Sequence, residues 1–237
     1  MKKTIQLLLL LFIVHPVSSQ SFNVGFELGR GTYSMEELKN FNQMVFIGLD
    51  FPAKRVSKFP SYYYYNPIVK FEFNNLSIGS FFTFQSTGSI ISSKDYSGEY
   101  RFEMLAKVKS FGIHYLQKLN PGDSLEFGIY SNIGYNITGL SIKEKFELFE
   151  ENIADNDYSF EANSYFIEPG IRLSYHLTPF KIQLTTGYNF EFSKKSLKPS
   201  GLYSDYLPYY ITEEMKMKTD WSGFRFGLSL FYCFSIS

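Results

Sequence analysis

Apolar and polar residues alternate with a period of two along most of the chain. Near the beginning, Phe22, Val24, Phe26 and Leu28 alternate with Asn23, Gly25, Glu27 and Gly29. Near the end, Phe224, Phe226, Leu228, Leu230, Tyr232 and Phe234 alternate with Arg225, Gly227, Ser229, Phe231 and Cys233. A period of two belongs to a strand, whose successive side chains point to opposite faces. The same pattern predicts strands over 125–138, 165–177 and 181–192, and less regular ones over about 62–73 and 76–90. In the segment 100–115 the apolar residues sit at even positions (Tyr100, Phe102, Met104, Ala106, Val108) and then at odd ones (Phe111, Ile113, Tyr115). This predicts a bulge near Lys109-Ser110, where one extra residue restores the facing.

Three connections are short: Asn74-Asn75, Asn120-Pro121-Gly122-Asp123 and Thr178-Pro179, each rich in turn formers. The alternate ones are long, at about 34–61, 91–98, 139–158 and 193–220. In the first of them Ser34 and Glu37 have capping-box spacing, and Met35, Leu38 and Phe41 fall on one face, which predicts a short helix. The uncharged stretch 73–93 is long enough for a membrane helix, but its Asn, Ser, Thr and Gln content argues against one.

Long alternating strands joined by short turns at one end and long loops at the other fit an antiparallel up-and-down transmembrane β-barrel. The expected strand count is about eight, or ten if Met44–Phe51 and Tyr209–Met217 add one each. In such a wall the apolar face contacts lipid and the polar face lines the lumen. Twelve charged residues fall on polar faces: Glu27, Lys70, Glu72, Arg101, Glu103, Lys107, Glu126, Glu168, Arg172, Lys181, Glu191 and Arg225. An eight-stranded barrel is just wide enough for side chains to fill it, so charges of both signs are expected to pair across the lumen and plug it. Gly128, Gly134, Gly187 and Gly227 share the inward phase and are expected to relieve crowding.

Composition narrows the function classes. Lys and Arg number 23, as do Asp and Glu, so no basic field for nucleic acid exists. With 44% hydrophobic residues and a mean hydropathy of -0.14, the chain is too apolar for disorder and too polar for a helical membrane bundle. A single cysteine, Cys233, excludes a disulfide framework and any multi-cysteine metal site, and no cofactor motif is present. Lys2 and Lys3, the apolar run Ile5–Val14 and Val17-Ser18-Ser19 follow the order of a secretory signal peptide. We assign it to residues 1–19, leaving 20–237 as the barrel domain.

The signal sequence, the alternating strands and the closing segment from Phe224 to Phe234 resemble those of small outer-membrane β-barrel proteins of Gram-negative bacteria, the OmpX/OmpA-like and porin family group. The resemblance implies location in the cell outer membrane, contact with the lipid bilayer and recognition of the last strand by the barrel-insertion machinery. This chain departs from the pattern in that Ser235-Ile236-Ser237 follow the terminal aromatic.

Candidate chemistry is sparse. Within the barrel domain the histidines are His114 and His176, both near the short-turn end and neither beside a specific Ser or Asp arrangement, so no enzyme is expected. Tyr62–Tyr65, Tyr115, Tyr175, Tyr232 and Trp221 lie near strand ends, where an aromatic girdle belongs. Residues 141–157 carry two lysines against six acids and residues 193–219 five lysines against three acids, so these loops have opposite signs suited to pairing or to an envelope partner. The expectation is a monomer with a structural or interaction role: envelope integrity, adhesion, or accessory to a secretion or motility complex. The alternatives are a narrow passive porin and a soluble exported lipid-binding β-barrel.

Overall fold

The computed structural model describes residues 21–120, 124–149, 151–200 and 217–235. The signal sequence expected at 1–19 and the strand expected at 209–217 fall wholly or mainly outside these. Eight strand positions close into an antiparallel ring in chain order. β1 (Ser21–Gly31) is followed by helix α1 (Glu36–Ile47), β2 (Lys54–Lys58), β3 (Tyr62–Glu72), β4 (Leu76–Lys94) and β5 (Gly98–Lys118). Then come β6 (Leu125–Leu148), β7 (Glu151–Leu177), β8 (Phe180–Phe192), β9 (Lys198–Pro199) and β10 (Gly223–Ser235), which pairs with β1 and closes the ring. β2 and β3 both pair with β4, and β8 and β9 both pair with β7. Each duo is therefore one interrupted wall position, which reconciles ten sheet segments with a ring of eight. Between β2 and β3 the chain kinks at buried Phe59, whose φ of 45° lies in the left-handed region and whose N–H is held by the Gly88 carbonyl at 2.8 Å.

Both ends of the described chain and the short turns share one rim, here the terminal rim. At the far rim the structure departs from expectation. Segments 91–98 and 139–158 are not loops: they continue the hairpins β4–β5 and β6–β7, with strands of 19, 21, 24 and 27 residues against 11 to 13 for β1, β3, β8 and β10. A tilted membrane strand needs only about 9–11 residues. The four long strands thus continue well past the bilayer as a half-wall, with α1 packed against its inner side.

The bulge expected at Lys109-Ser110 does not exist. Lys109 pairs with Phe84 and Ile137, Ser110 with Thr83 and Asn136, and the register is unbroken. Even residues of β5 face inward throughout. What changes is the polarity of the inside: Tyr100 to Val108 are buried apolar, whereas Ser110, His114 and Lys118 are buried polar. The same switch occurs on neighbouring strands between Thr138 and Leu140 and between Ala162 and Ser164, and Val108, Thr138 and Ala162 are register partners. It follows that Arg101, Glu103 and Lys107, expected inside, point out into water.

Met44–Phe51 is not a strand, since α1 runs to Ile47. Nor is the capping box formed: Met35 precedes the helix in a left-handed conformation, and no side chain caps it. Tertiary contacts replace the cap. Met35 is fully buried, its N–H donates to the Asp220 carbonyl at 3.0 Å, and the Glu37 carboxylate accepts the Lys218 N–H at 2.6 Å.

Candidate functional site

Outside, the wall is apolar. Phe226, Leu228, Ile171 and Leu184 are 58%, 54%, 47% and 54% exposed, while Arg225, Arg172 and Glu191 are buried. A soluble lipid carrier requires the reverse, so that reading is overturned. Aromatic rings edge the apolar belt. Toward the far rim Phe111, Tyr135, Tyr165 and Phe192 form a row across four strands, with centroids 5.7, 5.0 and 6.3 Å apart. At the terminal rim Phe22, Phe71 and Phe234 cluster beside Phe180 and Tyr232. Aromatic rings at both edges of an apolar belt are the signature of a membrane wall. Two expected girdle members lie elsewhere: Tyr64 is buried in the lumen and Trp221 in the far-rim core.

The lumen is filled in layers. Among the described residues, ten charged side chains are buried: Lys70, Lys118, Arg172, Lys181 and Arg225 against Glu27, Glu72, Glu126, Glu168 and Glu191. Nine of these are expected from the sequence pattern. Lys118 escapes it as the last residue of β5, although it continues the even, inward phase of His114 and Leu116.

At the terminal rim Glu72 accepts from Lys181 at 2.6 Å and Lys118 at 3.2 Å, while Glu126 meets Lys118 at 3.2 Å, Arg172 at 3.4 Å and His176 at 3.1 Å. Above lies an apolar layer of Ile68, Phe81, Phe166 and Phe231, with the Lys70 ammonium 3.9 Å from the Phe231 ring centroid. Next comes an acidic layer. Glu27 accepts from Tyr64, Thr185 and Ser229 at 3.0, 3.0 and 2.9 Å, and Glu168 from Tyr130 at 3.0 Å, with Arg225 at 3.5 Å. Glycines make room for these crossing aromatics: a Cβ on Gly29 would overlap the Tyr64 ring, and one on Gly187 would lie 2.6 Å from the Tyr130 hydroxyl.

A latch closes the lumen at the level of the polarity switch. The Glu191 carboxylate accepts the Trp221 N–H at 2.6 Å and the Ser164 hydroxyl, and the indole N–H donates to Thr138 at 3.0 Å. Beyond it is a true hydrophobic core, with Leu38 and Phe41 of α1, Phe102, Met104, Leu140, Ile142, Phe160 and Trp221. We call this part the head.

Several head groups have displaced acidities. Burial pushes the Tyr33 hydroxyl up to about 12, against a smaller opposing pull from Arg225. Burial would raise Asp220, but the Lys194 ammonium at 2.6 Å and two Ser222 contacts hold it below the usual range. The outer face of the head is charged, and the acidic segment pairs within itself, Lys143 with Asp157 at 3.0 Å. Much of its expected basic partner, 201–216, is outside the described residues.

His114 is buried in the lumen with Nδ1 2.7 Å from the Asn132 amide oxygen, and His176 sits half-buried against Glu126. No group of three or more His, Cys, Asp or Glu suited to a metal occurs among the described residues. Cys233 faces the lumen side near the terminal rim and is reduced and partly buried.

No protein-family model matches the chain, and no curated protein sequence is similar to it. Solved structures are. A major outer membrane protein from Thermus thermophilus superposes with a TM-score of 0.52 at 13% identity, over 90% of this chain and 99% of that one. Lower overlaps, too low to argue from, are found with the outer membrane protease OmpT of Escherichia coli (TM-score 0.41, 12% identity, 92% and 98% covered) and with Ail of Yersinia pestis (0.34, 13%, 90% and 97%). The first likeness shows the fold, the apolar belt and its aromatic edges show the solvent, and together they identify the chain as an outer-membrane β-barrel protein.

Proposed function

We propose that the protein is a closed barrel that holds a folded head above the outer surface of the membrane, and that its role is structural or interactive: envelope integrity, adhesion, or service in a secretion or motility complex. The observation that carries this reading is the polarity switch. A pore has no use for a dry core over its mouth, yet four strands run on past the belt to build one and α1 fills it. Such a head is a rigid platform, and its charged outer face is the surface offered to partners. The reading is non-catalytic: His114 is buried against an amide, and His176 lies at the opposite rim from the head.

The test is conductance of the refolded full-length chain in planar bilayers. No stable single-channel steps are expected, and a reproducible nanosiemens-scale pore would replace this reading with the narrow porin. In whole cells, membrane-impermeant amine reagents are expected to label Lys143 and Lys145; labelling only after outer-membrane rupture would place the head on the wrong side.

A further inference from the structure

The terminal-rim layer of the lumen holds more positive charge than its own acids neutralise. Four cations, Lys70, Lys118, Arg172 and Lys181, share two carboxylates, Glu72 and Glu126. Each carboxylate oxygen has a cation within 3.5 Å, although Glu72 Oε1 makes no hydrogen bond. Glu72 receives Lys70 at 3.5 Å besides Lys118 and Lys181, and Glu126 receives Lys118, Lys181, Arg172 and His176. At formal charges the layer counts four cations against two carboxylates, a surplus of two. The other buried acids do not offset it, because Glu27 and Glu168 are engaged by their own hydroxyl, amide and Arg225 donors. Burying uncompensated charge costs several kcal/mol per ion.

A second observation is independent of charge counting. Arg172, with a fully buried side chain, uses only Nη2 toward Glu126, and its Nε and Nη1 have no partner among the described residues. The same holds for the amide nitrogens of Gln183 and Asn23 and for the hydroxyls of Ser174 and Ser77, against two unpartnered acceptors in the layer, Asn23 Oδ1 and Glu72 Oε1. These donors are neighbours: Ser174 pairs in register with Gln183 and Glu126, Ser77 with Glu72, and Asn23 with Lys70. A surplus of two charges and a surplus of N–H and O–H donors in one place describe the complement of a small tetrahedral dianion.

We propose that this layer is a binding site for a free dianionic oxyanion of the phosphate or sulfate class, entered from the terminal rim past Lys118 and His176, whose side chains are 8% and 31% exposed. One free nitrogen of Arg172, Nε or Nη1, takes an oxygen, Lys70 and Lys181 supply charge, and Ser174 and Gln183 orient the remainder. A lipid headgroup is excluded by position, since the apolar wall separates the layer from the bilayer.

The experiment uses the refolded full-length barrel in detergent at fixed ionic strength, titrated with inorganic phosphate, sulfate or chloride and read by calorimetry and by the thermal midpoint. Saturable binding of phosphate or sulfate with a raised midpoint is expected, with chloride far weaker. Arg172→Gln is expected to weaken it by at least about tenfold, some 1.4 kcal/mol, while Arg30→Gln, an exposed cation on the outer wall, leaves it unchanged. Should Arg172→Gln fail to fold, the milder pair Ser174→Ala and Gln183→Leu tests the same donors and is expected to weaken binding severalfold. An absence of saturable binding, an equal response to chloride, or undiminished affinity in a folded donor variant would overturn the proposal.

Discussion

The belt and the head are made from the same strands in the same register, yet they are inside-out relative to each other. Below the level of Val108, Thr138 and Ala162, the outward residues are mostly Phe, Ile, Leu and Tyr and the inward ones mostly Ser, Asn, Glu, Lys and Arg, with one apolar layer of Ile68, Phe81, Phe166 and Phe231 among them. Above it, Met104, Leu140 and Phe160 face in while Glu103, Lys143 and Asp157 face out. Along β5, β6 and β7 no backbone device marks the boundary. The difference teaches that facing is fixed by hydrogen-bond pairing alone and polarity is then assigned by the solvent on each side: hydrocarbon around the belt, water around the head. Because a one-residue slip would invert both regions at once, their opposite demands jointly pin a single register.

The largest expected effects come from removing what each region buries. In the head, Trp221→Ala deletes a fully buried indole packed edge-on against Tyr33 at 5.1 Å and should cost about 3–5 kcal/mol. In the lumen, Glu72→Gln strands Lys70, Lys118 and Lys181 around a neutral amide and should cost a similar 3–5 kcal/mol or so. Denaturant unfolding in lipid vesicles, followed by circular dichroism, measures both. Small losses in either would mean that the region is not the packed unit described.

An intermediate effect separates the two outer faces directly. Leu184→Arg puts a guanidinium into the middle of the belt and should destabilise by about 2–4 kcal/mol. Ser141→Arg, at an outward position of β6 just past the switch, should stay within about 0.5 kcal/mol. Equal costs would show that the belt extends further than the aromatic edge implies.

Much of this was legible in the residues. The eight wall positions, the short turns and nine of ten buried charges follow from period-two alternation, because a lipid-facing wall leaves few compromises in it. The errors share one cause. A single inside-out rule along the whole of β5 makes the change of phase at Lys109-Ser110 a bulge and turns Arg101, Glu103 and Lys107 inward. Residues 139–158 read as loop because their outward face is as polar as a loop, although Leu140, Ile142, Tyr158 and Phe160 kept the alternation on the other phase. Trp221, the chain's one tryptophan, has no local signal for burial: its partners Tyr33, Thr138 and Glu191 are distant in sequence and come together only when the ring closes.

The subtlest expected effect appears only in alkali and again distinguishes head from belt. Tyr33 is 5% exposed, its hydroxyl lies 3.3 Å from the Tyr62 carbonyl oxygen, and burial raises its pKa from 10.0 to about 12. Below pH 10 the phenol is protonated whether the chain is folded or not, so it adds no pH dependence. Between pH 10 and about 12 the unfolded chain releases this proton and the folded head keeps it. The folded state then binds more protons, and stability falls as pH rises, by an amount on the order of 2 to 3 kcal/mol for this group. Tyr33→Phe removes the titration. The variant should lose a little stability at neutral pH, with the hydrogen bond, and gain on the wild type through the alkaline window. Since other tyrosines and the lysines titrate in both proteins, the difference between their unfolding midpoints isolates Tyr33. A difference that stays flat from pH 9 to 12 would mean that water reaches this phenol, and with it the core on which the head depends.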